Sequence, residues 1–273
     1  MIPEKFPNKR ATSDVLATVS LSWRLFARTI GAKYRKSFLG YFWMVAPAIA
    51  ITAGVTLAQR SGVISPVETG LPYPLFVFIG TLIWQIFAEA FNVPHQAFEG
   101  ARSYLTRVFF PREAIILAQL YESLFTTAVR LALVLILTAV VTTGLDLRAA
   151  SLVAVCFGGT VLLGLGLGAL LMPFTLLFAD LHNSIKLILT YGLFLSPALY
   201  HPQGDGLFAT LVHWNPVSPL MLAAREAAAG EALSQTLSLL VLLGGATLTT
   251  FIGIALVRLV APIVIERMLL GGR

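Results

Sequence analysis

Glu89, Glu122 and Arg130 are ionisable residues set in otherwise apolar sequence. Inside a membrane span such groups are costly, which makes them functional candidates by default. Counted along helices at about 1.5 Å per residue, Glu89 and Glu122 fall at similar depths and Arg130 about 12 Å beyond Glu122. The three are therefore not expected to form an ion pair. With no nucleophile and base recurring beside them, they suit a gate or a subunit interface better than catalysis. His95, His182, His201 and His213 are scattered along the chain, and Cys156 is the single cysteine, so no metal centre and no intramolecular disulfide are expected. Gly158, Gly159, Gly164, Gly166 and Gly168 imitate a dinucleotide loop, but they lie in an apolar run with no strand before them. Close packing of helices through small residues is the expected role. The chain contains no Gly-x-x-x-x-Gly-Lys-Ser/Thr phosphate loop.

The elements that carry these residues follow from composition. Of 273 residues, 57% are hydrophobic and 12% charged, well below the roughly 25% charged fraction of soluble domains. A membrane-spanning helix takes about 20 mostly apolar residues. Runs without a charge extend over 37–59, 69–88, 149–179, 187–204 and 232–257, and a sixth, 114–145, is interrupted by Glu122 and Arg130. The runs are continuous rather than alternating, which predicts an all-α integral membrane protein with six transmembrane helices and excludes a barrel. Three regions follow: a cytoplasmic amino terminus with an interface helix over 1–36, a transmembrane domain over 37–258, and a cytoplasmic tail over 259–273.

Positive charge sets the orientation, since Lys and Arg near spans are retained on the cytoplasmic side. The first 36 residues hold eight Lys or Arg and lack the compact apolar stretch of a cleavable signal. With that end inside, Arg102, Arg107, Arg112, Lys186, Arg258, Arg267 and Arg273 are also cytoplasmic, and Arg60, Arg148 and Arg225 are outside. Both termini are expected in the cytoplasm. The net charge of +6 then reflects topology and lipid contact rather than nucleic-acid binding.

Within 13–36, Val15, Val19, Trp23, Phe26, Ile30 and Tyr34 recur at helical steps, opposite Ser20, Arg24, Arg28, Gly31 and Arg35. This predicts an amphipathic helix at the inner membrane interface, with Trp23, Arg24, Arg28, Tyr34 and Arg35 meeting membrane lipids. Pro47 is expected to kink or break the first span in its middle. Span two is expected over 73–93, followed by a short cytoplasmic helix within 94–113, and a tight inner turn is expected at 180–184. Between spans five and six, 201–231 is too long for a turn. Its apolar content and the Asn215-Pro216 break predict two short re-entrant helices on the outer, periplasmic side.

Taken together, these stretches resemble a known family. Lys33-Tyr34-Arg35-Lys36-Ser37-Phe38-Leu39-Gly40-Tyr41-Phe42-Trp43 runs into a span containing Pro47, after a basic amphipathic helix. Phe109-Phe110-Pro111, the Asp180 turn, Ser196-Pro197-Ala198-Leu199-Tyr200, Trp214-Asn215-Pro216 and Arg225-Glu226 follow in order. The set is similar to the permease subunits of polysaccharide ABC exporters, those of O antigen above all, with capsule and teichoic acid exporters as relatives. One departure is Phe178-Ala179-Asp180, where family members often carry Arg before the Asp, so an ion pair at this turn is not carried over.

The resemblance implies a homodimer in the bacterial inner membrane. It pairs with two copies of a nucleotide-binding ATPase that binds ATP and Mg, and it exports a lipid-linked polysaccharide. No cofactor is expected in this chain. It further implies that the helix between spans two and three couples to ATPase movement through Tyr104, Arg107, Phe109, Phe110, Pro111 and Arg112. A sugar polymer needs a wet path that it can slide along, and aromatic rings stack on pyranose faces without holding one register. Tyr41, Phe42, Trp43, Trp84, Phe87, Phe91, Tyr191 and Phe194 either line that conduit or face lipid. A secondary carrier would predict more intramembrane carboxylates and related halves. A membrane-bound glycan or lipid transferase would predict an acidic or histidine cluster at one interface.

Overall fold

The computed structural model describes residues 9–35, 40–63, 70–105, 112–142, 146–200, 206, 210, 212 and 214–270, with the backbone alone over 9–16, 33–35, 99–105, 112–113 and 261–270. Among the described residues all regular structure is helical. The order is α1 (Lys9–Arg35), a 3-10 helix (Gly40–Met44), α2 (Ala46–Arg60), α3 (Tyr73–Leu105), α4 (Arg112–Val141), α5 (Leu147–Leu177), α6 (Ala179–Tyr191) and a second 3-10 helix (Gly192–Leu195). The helices α7 (Ser218–Ala229) and α8 (Thr236–Leu270) complete it.

Among the described residues four helical stretches are long and apolar enough to cross a membrane: Tyr73–Phe98, Ala114–Val141, Leu147–Leu177 and Thr236–Val260. The first and third are mostly buried, while only about a quarter of the second and fourth is buried within the protomer. The expected first and fifth spans take a different form. Each is a short α-helix joined to a 3-10 helix, α2 after Gly40–Met44 and α6 before Gly192–Leu195. Pro47 marks the break in the first: it lies in the opening turn of α2, just past Val45, where its missing N–H has no intrahelical partner to lose.

Two boundaries differ from expectation. Pro94 does not end the second span, because α3 continues through it to Leu105 as one helix. Proline is tolerated inside membrane helices when neighbours satisfy the freed backbone groups. The start of the expected separate cytoplasmic helix is thus the last three turns of α3. The inner turn expected at 180–184 is instead a break at Phe178, whose extended backbone (φ −122°, ψ 104°) ends α5 and begins α6. Asp180 stands in the first turn of α6, where a carboxylate meets the positive end of the helix dipole.

The centre of the bundle is α5, packed between α3 and α8 with α7 also against it. Its glycines permit this closeness. A Cβ on Gly164 would stand 2.6 Å from Phe87 O, and one on Gly166 would stand 2.8 Å from Thr250 N. Gly168 sits against the Phe91 carbonyl, whereas Gly158 faces open space. The α5–α8 seam is pinned by Thr250, whose hydroxyl donates to Leu162 O at 2.8 Å. In the membrane, where apolar burial alone does little to join helices, such backbone approach and interhelical hydrogen bonding hold the bundle.

Helix α1 packs on α4. Its covered positions are Ser22 and Phe26, with the Phe26 ring edge-on to Tyr121 and Phe125 at 6.1 and 6.0 Å. Trp23 stays largely exposed at the margin of this contact, 6.1 Å from Tyr121. The apolar arc is wider than one partner helix can cover.

Candidate functional site

A polar cleft opens between the first 3-10 helix, α2, α3 and α4. It encloses about 590 Å³, and its lining includes Trp43, Glu89, Glu122 and Arg130. Four residues singled out separately in the sequence therefore come together.

The closest relationship within it corrects an expectation, because Glu89 and Arg130 form a two-pronged ion pair. Arg130 Nη1 donates to Glu89 Oε2 at 2.8 Å and Nη2 to Oε1 at 2.5 Å. The sequence count placed them at different depths because it stopped α3 at Val93. With α3 continuous to Leu105, Glu89 stands about 24 Å along α3 from that end, and Arg130 about 27 Å along α4 from Arg112. The two arms match, and the charges meet.

The pair is asymmetric in burial: Arg130 is 3% exposed and Glu89 44%. The guanidinium is therefore the group that must be satisfied inside the protein. Its remaining capacity goes to Met44 O, which accepts from Nε at 3.2 Å and from Nη2 at 2.9 Å. Met44 is the last residue of the first 3-10 helix, so Arg130 ties α3 and α4 to the start of α2. Thr126, one turn before Arg130, adds a longer hydrogen bond to Glu89 Oε2 at 3.4 Å.

The proposed conduit aromatics divide. Trp84, Phe87 and Phe91 are buried in the protomer. They form a run of ring contacts at 5.5 and 6.2 Å, and Trp84 Nε1 donates to Leu189 O at 2.9 Å across to α6. Tyr41, Phe42, Trp43, Tyr191 and Phe194 are exposed. On α1, Arg24 and Arg28 are exposed, while Tyr34 and Arg35 are helical with side chains outside the description. The same holds for Tyr104 at the end of α3 and Arg112 at the start of α4. Arg107, Phe109, Phe110 and Pro111 lie outside the described residues.

The structural role of Arg225 escaped the sequence, which showed it as an outer positive charge and as part of the Arg225-Glu226 motif. It is buried in α7 and donates to three carbonyls: Phe76 O at 3.0 Å from Nε, Pro197 O at 2.6 Å from Nη1 and Ala198 O at 2.6 Å from Nη2. Its guanidinium also lies 3.5 Å from the centre of the Phe76 ring. The available signal was a charge set among Leu, Met and Ala between Pro219 and Ala229. Gly230, at φ 74°, ends that helix in the left-handed conformation that glycine adopts without strain. Of the histidines, His95 and His182 stack at 4.0 Å; His201 and His213 lie outside the described residues. Among the described residues no group of three or more His, Cys, Asp or Glu could hold a metal.

Comparison with known proteins agrees with the resemblance. The chain is 26% identical over 209 residues to the O-antigen export system permease protein RfbA of Myxococcus xanthus, covering 72% of this chain and 75% of that one. It is 25% identical over 242 residues to the polysialic acid transport protein KpsM of Escherichia coli, covering 86% of this chain and 91% of that one. The chain resembles polysaccharide-export permeases along most of its length. No family model matches it. With four helices of membrane-crossing length and relatives that are transport proteins, it is a multi-pass membrane protein.

Proposed function

We propose that this chain is the membrane subunit of an ABC exporter that carries a lipid-linked polysaccharide, O antigen in the first instance, across the bacterial inner membrane. The observation that carries this reading is the similarity, over 209 and 242 residues, to two proteins of polysaccharide export and transport. Capsular polysaccharide is the alternative cargo, favoured by the likeness to the polysialic acid transport protein.

In this reading two copies of the chain enclose the conduit and two copies of a separate ATPase, binding ATP and Mg, drive it. The residues after α3, from Tyr104 to Arg112, receive the ATPase stroke. The exposed aromatics Tyr41, Phe42, Trp43, Tyr191 and Phe194 are the conduit candidates, and the exposed Arg24 and Arg28 of α1 meet acidic headgroups. Six spans with both termini in the cytoplasm follow if the two composite helices cross. At ordinary helical rises Gly40–Arg60 amounts to about 32 Å and Ala179–Leu195 to about 28 Å, close to the roughly 30 Å hydrocarbon thickness.

Deletion of the gene is expected to abolish surface glycan while glycan accumulates inside the cell, and the tagged chain is expected to co-purify with an ATPase. Intact surface glycan after deletion, together with purification free of any ATPase, would overturn the proposal.

A further inference from the structure

We infer that the cleft beside the Glu89–Arg130 pair binds a neutral, hydroxyl-rich sugar unit of the exported polymer; this deepens the export reading and rests on it. The cleft's volume of about 590 Å³ falls within the roughly 300–1,000 Å³ of small-molecule sites. Trp43 borders it and is 62% exposed, offering an apolar ring face against which a pyranose C–H face can stack.

The lining also includes Gln85, Gln96, Gln119, Glu122 and Ser123. Two of these carry shielded polar atoms with no hydrogen-bond partner, Ser123 Oγ and Gln85 Oε1. Ser123 is only 6% exposed, and an unsatisfied polar atom at such a position is costly. Once a rotamer change turns either atom to the cleft surface, a sugar hydroxyl, which both donates and accepts, can pair with it.

Charge decides which ligand. Among the described residues Arg130 is the only cation lining the cleft, and four of its five N–H groups are taken by Glu89 and Met44 O. The remaining polar lining consists of carboxylates, amides and hydroxyls, which disfavours a phosphate, a diphosphate or an acidic sugar. Hydroxyl donors suit this lining.

The test places photoreactive p-benzoylphenylalanine at Gln119 in the full exporter in cells, with the same group at Ile136, an exposed position on α4, and at Tyr191. On irradiation the Gln119 protein is expected to gain an adduct carrying neutral glycan, which Ile136 lacks and which disappears when glycan synthesis is blocked. Gln96→Ala and Gln119→Ala are expected to lower export about fivefold each, the effect of one hydrogen bond. If Tyr191 captures glycan while Gln119 captures lipid, an acidic glycan or nothing, the cleft proposal fails and the export reading stands. If no position captures glycan and deletion leaves surface glycan intact, the export reading itself fails.

Discussion

Arg130 and Arg225 stand in the same relation to the two short helices that interrupt this bundle. Each spends its guanidinium on carbonyl oxygens at a 3-10 segment. Arg130 holds Met44 O at the last residue of the first, and Arg225 holds Pro197 O and Ala198 O just past the second. Each also reaches α3, Arg130 through Glu89 and Arg225 through Phe76 O. Where a helix breaks at membrane depth its carbonyls lose their partners, and non-helical backbone survives there only when protein covers it. A buried arginine fork supplies several donors at once.

Glu89→Met should destabilise the protein by about 1–3 kcal/mol, because it leaves the buried Arg130 guanidinium with Met44 O alone. The lower part of the range that a buried pair would show is expected, since Glu89 is half exposed to the cleft. The double variant Glu89→Met with Arg130→Met should lose less than the sum of the singles, by about 1 kcal/mol or more. Unfolding of the four proteins in detergent measures this, and strict additivity would contradict a coupled pair.

Arg225→Ala should cost about 3 kcal/mol or more, as three carbonyls lose their donor together. Arg225→Lys should recover little, because one ammonium cannot reproduce the fork. Gly80→Ala should resemble it: a Cβ there would lie 2.8 Å from both Ala198 Cα and Ala198 O, as well as against Arg225. The amount of folded protein recovered from membranes and its thermal midpoint report all three.

Gly164→Leu and Gly168→Leu should force α3 and α5 apart and cost about 1–3 kcal/mol or more, since both glycines abut the α3 backbone at Phe87 and Phe91. Gly158→Ala, which meets nothing within 4 Å, should be neutral or slightly stabilising. Thermal midpoints of the three variants, compared side by side, test the asymmetry.

Phe26→Ala should release α1 from α4, with a packing loss of about 3 kcal/mol, while Trp23→Ala at the exposed margin should cost much less. Hydrogen exchange along Lys9–Arg35 would show the difference. Equal exchange in the two variants would mean that the ring contacts with Tyr121 and Phe125 do not hold the helix.

Much was legible in the linear chain. Uncharged runs gave long helices, the steps of three and four around Trp23 and Phe26 gave a helical α1, and of the glycines read as packing positions Gly159, Gly164, Gly166 and Gly168 are such, while Gly158 is not. These are properties of local composition and period, which a single helix expresses wherever it sits. The family resemblance was equally visible, and the similarity to two polysaccharide export and transport proteins agrees with it.

Boundaries and pairings needed the fold. Pro94 reads locally as a stop, yet α3 continues because its neighbours cover it, and that continuation alone brings Glu89 level with Arg130. Met44 O, Pro197 O and Ala198 O carry no sequence signal, since a backbone carbonyl looks the same at every residue; only helix breaks meeting two arginines make them sites. The sequence by itself determined that this chain is helical, apolar and similar to export permeases. The tertiary structure decided which charges are paired, which aromatics are buried and where a polar cleft remains. Each of those depends on the relative height of helices, and that height is set by packing across the bundle.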